Sequence, residues 1–247
     1  MSIYNLPFIY VPETASTNTY LKALNRQQAL KEGTTVYTSN QSSGRGQAGT
    51  SWESEPDKNL TCSILLFPQQ IPSNRQFIIS QLTSLAVRDV LSEETDFISI
   101  KWPNDIYYKD KKIAGILIEN EIEGSAIVVS VIGIGLNVNQ RNFLSDAPNP
   151  VSLCRVTGKE YDLQTLMRRI VDRLLFLYHE VKEHRQDAII SRYKDSLYRK
   201  DGYYPFSDEK GVFMAKIDNI ESGGAIILQT EEGDCRKYFF KEIAFIR

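Results

Sequence analysis

The sequence predicts an α+β protein, a larger domain of helices and strands with a small β-barrel appended behind it. Three observations carry this reading. Strand-like runs follow one another at about 97–102, 105–109, 112–121 and 126–136. Helical periodicity brackets them, at 73–91 on one side and 162–181 on the other. From Tyr203 onward the chain becomes short β segments separated by turns at Glu209-Lys-Gly211, Ser222-Gly-Gly224 and Glu231-Glu-Gly-Asp234. The boundary is drawn where the texture changes, giving domains at 1–196 and 197–247.

Each element has a local reason. Residues 17–30 are good helix formers with Leu21, Leu24 and Ala29 toward one side; Ser16 or Thr17 serves as N-cap and Gly33 as the stop. Thr34–Thr38 reads as a short strand. The stretch 39–51 has three glycines, no large apolar residue and one charge, Arg45, so a mobile loop is expected. Leu60–Phe67 has the look of a buried strand. Ser73-x-x-Gln76 reads as a capping box, opening a helix to about Leu91 with Phe77, Ile78, Leu82, Leu85 and Ala86 inward. Asp110-Lys111 is the expected hairpin turn before the strand that carries Ile113, Ile116, Leu117 and Ile118. That strand is apolar on both faces and expected to be covered on both. Asp162 caps the longest helix, whose stripe is Leu163, Leu166, Ile170, Leu174, Leu177 and Val181.

Composition excludes several classes. The chain has 247 residues, 42% hydrophobic and 24% charged, which argues against disorder or a fibre. Lys and Arg number 29 against 31 Asp and Glu, a net charge of −2 that gives no global attraction to nucleic acid or anionic membrane. No apolar run approaches the roughly 18–20 residues of a membrane span, and Met1-Ser-Ile-Tyr-Asn-Leu-Pro7 does not read as a signal peptide. Cys62, Cys154 and Cys235 form no C-x-x-C pair and fit reduced thiols in a cytoplasmic protein. Two histidines, His179 and His184, make a His-rich metal site improbable.

Gly44, Gly46 and Gly49 satisfy G-x-G-x-x-G, yet the dinucleotide reading fails. The residues after them, Thr50-Ser-Trp-Glu-Ser-Glu-Pro56, do not start a helix that could face a pyrophosphate. A P-loop needs Lys where Thr50 stands, and a kinase needs an H-R-D tract that is absent from the sequence. A polar loop remains, its only charge a guanidinium and its end an aromatic, Trp52; it suits an anionic ligand or is a solvated surface loop. Lys101-Trp-Pro-Asn-Asp105 offers a stacking face, an amide and a carboxylate, or else a core Trp followed by a turn. Lys112-Ile-Ala-Gly-Ile-Leu117 sets a lysine at the start of a strand whose Ala114 and Gly115 let a ligand approach closely, or is a hairpin lysine facing solvent. Ser16-Thr17-Asn18 is a ligand-binding helix start or plain capping.

Their order decides among these. Ser16-Thr17-Asn18, Gly44-Arg45-Gly46 with Trp52, Lys101-Trp-Pro-Asn-Asp105, Lys112-Ile-Ala-Gly-Ile-Leu117 and Gly133-Ile-Gly-Leu-Asn-Val138 together resemble the biotin–protein ligases over nearly the whole chain. The resemblance implies a mixed central β-sheet flanked by helices, with a small C-terminal SH3-like β-barrel. It implies an ATP-dependent ligase that activates biotin as biotinoyl-5′-AMP, releases pyrophosphate, and transfers biotin to a lysine of a biotin carboxyl carrier protein. Biotin and ATP are substrates and Mg²⁺ the expected metal, because two anions must meet in the first step.

Carried over residue by residue, Arg45 and Lys112 are the catalytic cations. Biotin is expected at Ser16, Thr17, Asn18, Gln41, Gly44, Arg45, Gly46, Gln47, Lys112 and Gly115, with Ser16, Thr17 and Gln41 on the ureido ring. The adenylate is expected at Arg45, Trp52, Asn104, Lys112 and Asn137, and Asp105 is the expected partner of Mg²⁺ or of the incoming lysine. The loop 39–51 is expected to order over the adenylate and exclude water. Where many members have Arg after Gly-Arg-Gly this chain has Gln47, which implies weaker retention of the intermediate unless a residue such as Lys111 compensates. Only fifteen residues precede Ser16, so no DNA-binding domain is expected, and a homodimer is possible through the strand near 126–136. The rivals are a lipoate–protein ligase of the same architecture and a non-catalytic biotin- or nucleotide-binding regulator.

Overall fold

The computed structural model describes residues 6–46, 49–144 and 149–246. The chain runs β1 (Phe8–Thr14), α1 (Thr17–Gln27), β2 (Thr35–Gln41), β3 (Leu60–Leu66), α2 (Phe77–Ser92), β4 (Ile98–Lys101), β5 (Asp105–Tyr108), β6 (Lys111–Glu123) and β7 (Ala126–Leu136). Three helices follow, α3 (Leu153–Thr157), α4 (Leu163–Lys182) and α5 (Gln186–Asp195). Five short strands close the chain: β8 (Tyr204–Asp208), β9 (Gly211–Ile220), β10 (Ile226–Thr230), β11 (Cys235–Tyr238) and β12 (Ala244–Phe245).

The first seven strands make one mixed sheet in the order β1-β2-β3-β7-β6-β5-β4, parallel only between β1 and β2. The last five make a separate antiparallel sheet, β11-β10-β9-β8-β12, the barrel-like unit that the C-terminal texture predicts. Side-chain alternation gives the large sheet two different faces. One carries Leu60, Cys62, Ile64, Ile106, Ile116, Ile132 and Ile134, all buried with α2 and α4 in the main core. On the other, α1 inserts Leu21 among Val36, Leu65 and Val131. Burying one such leucine is worth roughly 2 kcal/mol, so α1 is pinned over the β2-β3-β7 end of that face.

Several expectations need correction. β6 is not covered on both sides: Ile113, Ala114 and Ile116 are buried, whereas Gly115, Leu117 and Ile118 stay partly open. The Ser73/Gln76 capping box does not form. Ser73–Arg75 is a 3₁₀ turn, the N-cap of α2 makes no side-chain bond, and the Gln76 Oε1 instead accepts from Asn120. The β5–β6 hairpin turns at Lys109-Asp110, one residue earlier than expected, with Lys109 at φ 50°. α1 ends at Gln27 because Gln28 is already extended. β7 is paired with β6 from Ala126 to Leu136 but with β3 only from Ser130 to Leu136, so its first residues are not flanked by β3. β1 and α3 escape the periodicity: β1 is an edge strand interrupted by Pro12, and α3 is too short to show a period. The described ends of the loop 39–51 are held by backbone bonds, Trp52 N–H to Gly44 O at 2.9 Å and Gly46 N–H to Thr50 O at 2.6 Å. Apolar composition does not register such a ladder.

The helical layer is tied by Asp89 on α2, which accepts from Arg173 on α4 and Arg192 on α5, each at 2.6 Å. Burial would raise the Asp89 carboxyl, but the two guanidinium groups outweigh it and hold it below the ordinary carboxylate value. A depressed carboxyl stabilises the fold above its unfolded pKa of about 4, and the contribution fades as pH falls below it. Asp89→Asn is therefore expected to cost about 2 kcal/mol at neutral pH, with the gap from wild type closing in acid. Urea unfolding at pH 7 and in acid measures both, and equal stabilities at pH 7 would refute the tie.

Candidate active site

On the open face, strand register builds a floor with almost no side chains. Gly115 of β6 pairs with Gly135 of β7, which pairs with Thr61 of β3; one row further, Leu117 pairs with Gly133 and Gly133 with Ser63. A Cβ on Gly135 would come within 2.4 Å of the Trp52 ring, and one on Gly133 within 2.4 Å of Asn18 Oδ1. Both glycines are therefore required by what lies above them, and no side chain fits. Trp52 lies across Gly135 and Gly115, carried there by the Gly44–Trp52 backbone bond. Its buried indole N–H has no hydrogen-bond partner among the described residues, and neither do Thr61 Oγ1 in the same row and Asn137 Oδ1. Buried orphans of this kind cost free energy until a polar ligand satisfies them.

At one end of the floor, the start of α1 supplies a polar cluster. The Thr17 N–H donates to Gln41 Oε1 at 2.9 Å. Asn18 Nδ2 donates to Leu117 O at 3.2 Å and to Glu119 Oε2 at 2.8 Å. Ser63 Oγ lies 2.7 Å from Thr17 Oγ1 and 2.6 Å from Asn18 Oδ1. Glu119 also accepts from Lys22 at 3.0 Å and stands 3.6 Å from Arg45 Nη2, whose guanidinium further donates to Thr19 Oγ1 at 3.0 Å. Burial would raise the Glu119 carboxyl, but the bonds from Asn18 and Lys22 and the charges of Lys22 and Arg45 prevail and lower it.

The other end holds Lys112. Its backbone is fixed by Lys112 N–H to Asn149 O at 3.0 Å and Val151 N–H to Lys112 O at 2.9 Å. Its ammonium pairs with Asp105 at 2.7 Å and lies 5.8 Å from the centre of the Trp52 ring. Asn104 is buried, its amide donating to Ile116 O while its own carbonyl accepts from Ile116 N–H, so it braces β6 beside Gly115. Asn137 donates to Val151 O at 3.2 Å, tying the end of β7 to the same segment.

Arg45 and Lys112 thus flank one face, since Glu119 and Gly115 lie on the same side of β6. Four residues of strand separate those two anchors by about 13 Å. A cation at each end, a slot for a flat group between and a hydrogen-bonding cluster at the head can hold an elongated polar molecule with an anionic tail.

Residues 10–137 match the model of the biotin/lipoate A/B protein ligase family. The chain belongs to that family. The bifunctional ligase/repressor BirA of Bacillus spizizenii is 28% identical over 231 residues, covering 91% of this chain and 70% of that one. The biotin–[acetyl-CoA-carboxylase] ligase of Mycobacterium tuberculosis is 31% identical over 134 residues, 53% of this chain and 48% of that one. Among solved structures, the biotin protein ligase from Aquifex aeolicus in complex with biotin and ATP aligns with a TM-score of 0.80 at 26% identity, over 98% of this chain and 99% of that one. The resemblance drawn from the five sequence tracts and the fold it implies are borne out.

Of the residues expected in the ligase site, Thr17, Asn18, Gln41, Arg45, Trp52, Asp105, Lys112 and Gly115 are gathered on or around the floor. Gly44 and Gly46 carry the loop that delivers Arg45 and Trp52. Ser16 caps α1, its Oγ accepting from Thr19 N–H at 3.5 Å. Gln47 lies outside the described residues. Trp102 is not an exposed stacking face: it is buried against Phe240 and donates its indole N–H to Gly224 O at 2.9 Å, between the two sheets. Sequence reasoning missed Thr19, Lys22, Ser63 and Glu119. A serine inside the apolar run Leu60–Leu66 was a readable signal for one of them; the others depend on which strand faces α1. Gly133→Ala is expected to displace Asn18, whose amide is bonded on both sides, at a cost of about 1–3 kcal/mol. Thermal unfolding checks it, and an unchanged midpoint would show that the floor tolerates a methyl group.

Proposed function

We propose that this ligase activates the carboxylate of biotin with ATP and transfers the acyl group to a lysine of a biotin carboxyl carrier domain. The observation that carries the reading is the glycine floor set between the α1 polar cluster and Lys112, on a fold matched to a ligase holding biotin and ATP. A ureido ring offers N–H donors and one carbonyl acceptor, complementary to the hydroxyl and amide groups of Ser16, Thr17 and Gln41. The bicycle and its aliphatic chain run along this floor, packed beside Asn18 and the Trp52 ring that cover Gly133, Gly135 and Gly115.

The carboxylate is then directed toward Lys112. In the first step a carboxylate oxygen forms a bond to the α-phosphorus and the bond to pyrophosphate breaks. Negative charge concentrates between two anions as this happens, and the ammonium of Lys112 offsets it from a fixed strand position. Asp105 orients that ammonium. In the second step the amine of the acceptor lysine attacks the acyl carbon, AMP departs with the electron pair, and a proton leaves the new amide nitrogen. Trp52, Asn104 and Asn137 form the nucleotide side, and the Gly44–Gly46 segment with Arg45 closes the head of the slot. Gly46 begins the stretch expected to shield the anhydride from water.

Among the described residues no cluster of three His, Cys, Asp or Glu side chains could hold a metal. A lone carboxylate such as Asp105 suits Mg²⁺ brought in largely by the phosphates of ATP, where it would neutralise phosphate charge. We assign residues 1–196 to the catalytic unit and 197–247 to the appended barrel. No described helix is long and apolar enough to cross a membrane. Cys62, Cys154 and Cys235 are unpaired, which supports a reducing, cytoplasmic setting.

Pyrophosphate release measured with biotin, and separately with lipoate, tests the reading; release with lipoate alone would replace it by the lipoate alternative. Lys112→Met is expected to lower the biotin-dependent rate by about 10²–10³-fold, and a normal rate would remove Lys112 from the chemistry. The two tryptophans give an optical check. Biotin with MgATP is expected to change the emission of Trp102→Phe, which retains Trp52, and to leave Trp52→Phe silent; the opposite pattern would move the site away from the floor.

A further inference from the structure

We propose that Glu119 is a positioning residue for the head of the substrate, acting through a chain of hydrogen bonds whose direction it sets together with Leu117 O. The inference rests on the function proposed above and adds a residue to it. Leu117 O and Glu119 Oε2 can only accept, so the two acceptors fix Asn18 with its amide nitrogen toward β6 and its oxygen toward Ser63. Ser63 has one hydroxyl proton and two oxygens within reach, Asn18 Oδ1 at 2.6 Å and Thr17 Oγ1 at 2.7 Å. The amide oxygen has no proton to give, so the Ser63 proton goes to Asn18. The Thr17 contact is then made with the proton of Thr17.

Spending that proton on Ser63 leaves Thr17 Oγ1 with lone pairs alone for anything bound above it. Its 3.3 Å contact with Gln41 Oε1 is the weaker claim on the same proton. Independently, the Thr17 N–H holds Gln41 Oε1, so the Gln41 amide nitrogen turns the other way, toward Gly44. The head of the slot therefore offers an acceptor at Thr17 and a donor at Gln41, the complement of a ureido N–H and a ureido carbonyl. The carboxylate that anchors this sequence touches none of the reacting atoms. The same carboxylate clasps Arg45, and so ties the Gly44–Gly46 loop to the strand that fixes the amide.

A neutral amide in its place leaves Leu117 O, the longer of the two contacts at 3.2 Å, to specify the direction alone. Glu119→Gln offers both a donor and an acceptor to Asn18, so the relay loses the stronger of its two orienting acceptors and Arg45 loses its counter-charge. Steady-state kinetics of biotin-dependent pyrophosphate release test this, with near-ultraviolet circular dichroism confirming that each variant is folded. Glu119→Gln is expected to raise the KM for biotin at least about tenfold, with kcat within about threefold of wild type and the KM for ATP unchanged. Glu121→Gln, two residues along the strand and paired with exposed Arg26, is the control and is expected to leave all three constants unchanged.

Ser63→Ala cuts the relay one step further on without altering charge and is expected to shift the biotin KM in the same direction. It decides the matter should Glu119→Gln not fold. An unchanged biotin KM in the folded variant, or a loss confined to kcat, overturns the assignment. Wild-type protein that releases no pyrophosphate with biotin overturns the underlying function instead, so the two failures are separable.

Discussion

Gly115 sits directly across from Gly135, and Gly133 lies one row further along the same face of the sheet. Everything at the site depends on this patch of backbone without side chains. It lets the Trp52 ring lie close over β6 and β7, and it leaves room for Asn18 to reach across to Leu117 and Glu119. It also sets two cationic ends apart on one face of the sheet, with the Trp52 ring over the glycines between them. A methyl group at Gly133 or Gly135 would collide with the groups that define the slot, so the geometry is imposed by exclusion rather than by attraction.

The two ends of the floor are held differently. Lys112 is anchored through its backbone, bonded to the 149–151 segment, and its ammonium is aimed by Asp105. Arg45 is delivered by a short loop and captured by Glu119 and Thr19, so its position depends on α1 and β6 meeting. A cation on a strand suits a group that must already be in place when charge develops. A cation on a loop suits the closing of a slot over its occupant.

Trp102 illustrates how the small sheet contributes. Its indole joins the turn at Gly224 and the ring of Phe240 to the segment that carries Asn104 and Asp105. Pro103 O accepts from Ser80 of α2 and from Tyr193 of α5, so this segment is held from three directions before Asp105 reaches Lys112. The tryptophan that lies over the glycine floor and the one that fastens the two sheets are thus separate, although both are tryptophans next to polar residues in the sequence.

The sequence by itself determined the large elements and the chemistry. Long apolar stripes in α2 and α4, and the strand runs that became β3 to β7, are local patterns that report burial wherever the chain goes. The five tracts in order resemble those of the family, and the family model matches residues 10–137. Only the tertiary structure decided that Trp52 and not Trp102 belongs to the slot, that one face of β6 is open, and that Ser63 and Glu119 join the α1 cluster. Those facts depend on strand register and on which helix covers which face, and Asn18 and Glu119 are 101 residues apart in the chain. A local pattern records what a residue prefers to be near, whereas register and helix placement decide what it actually meets.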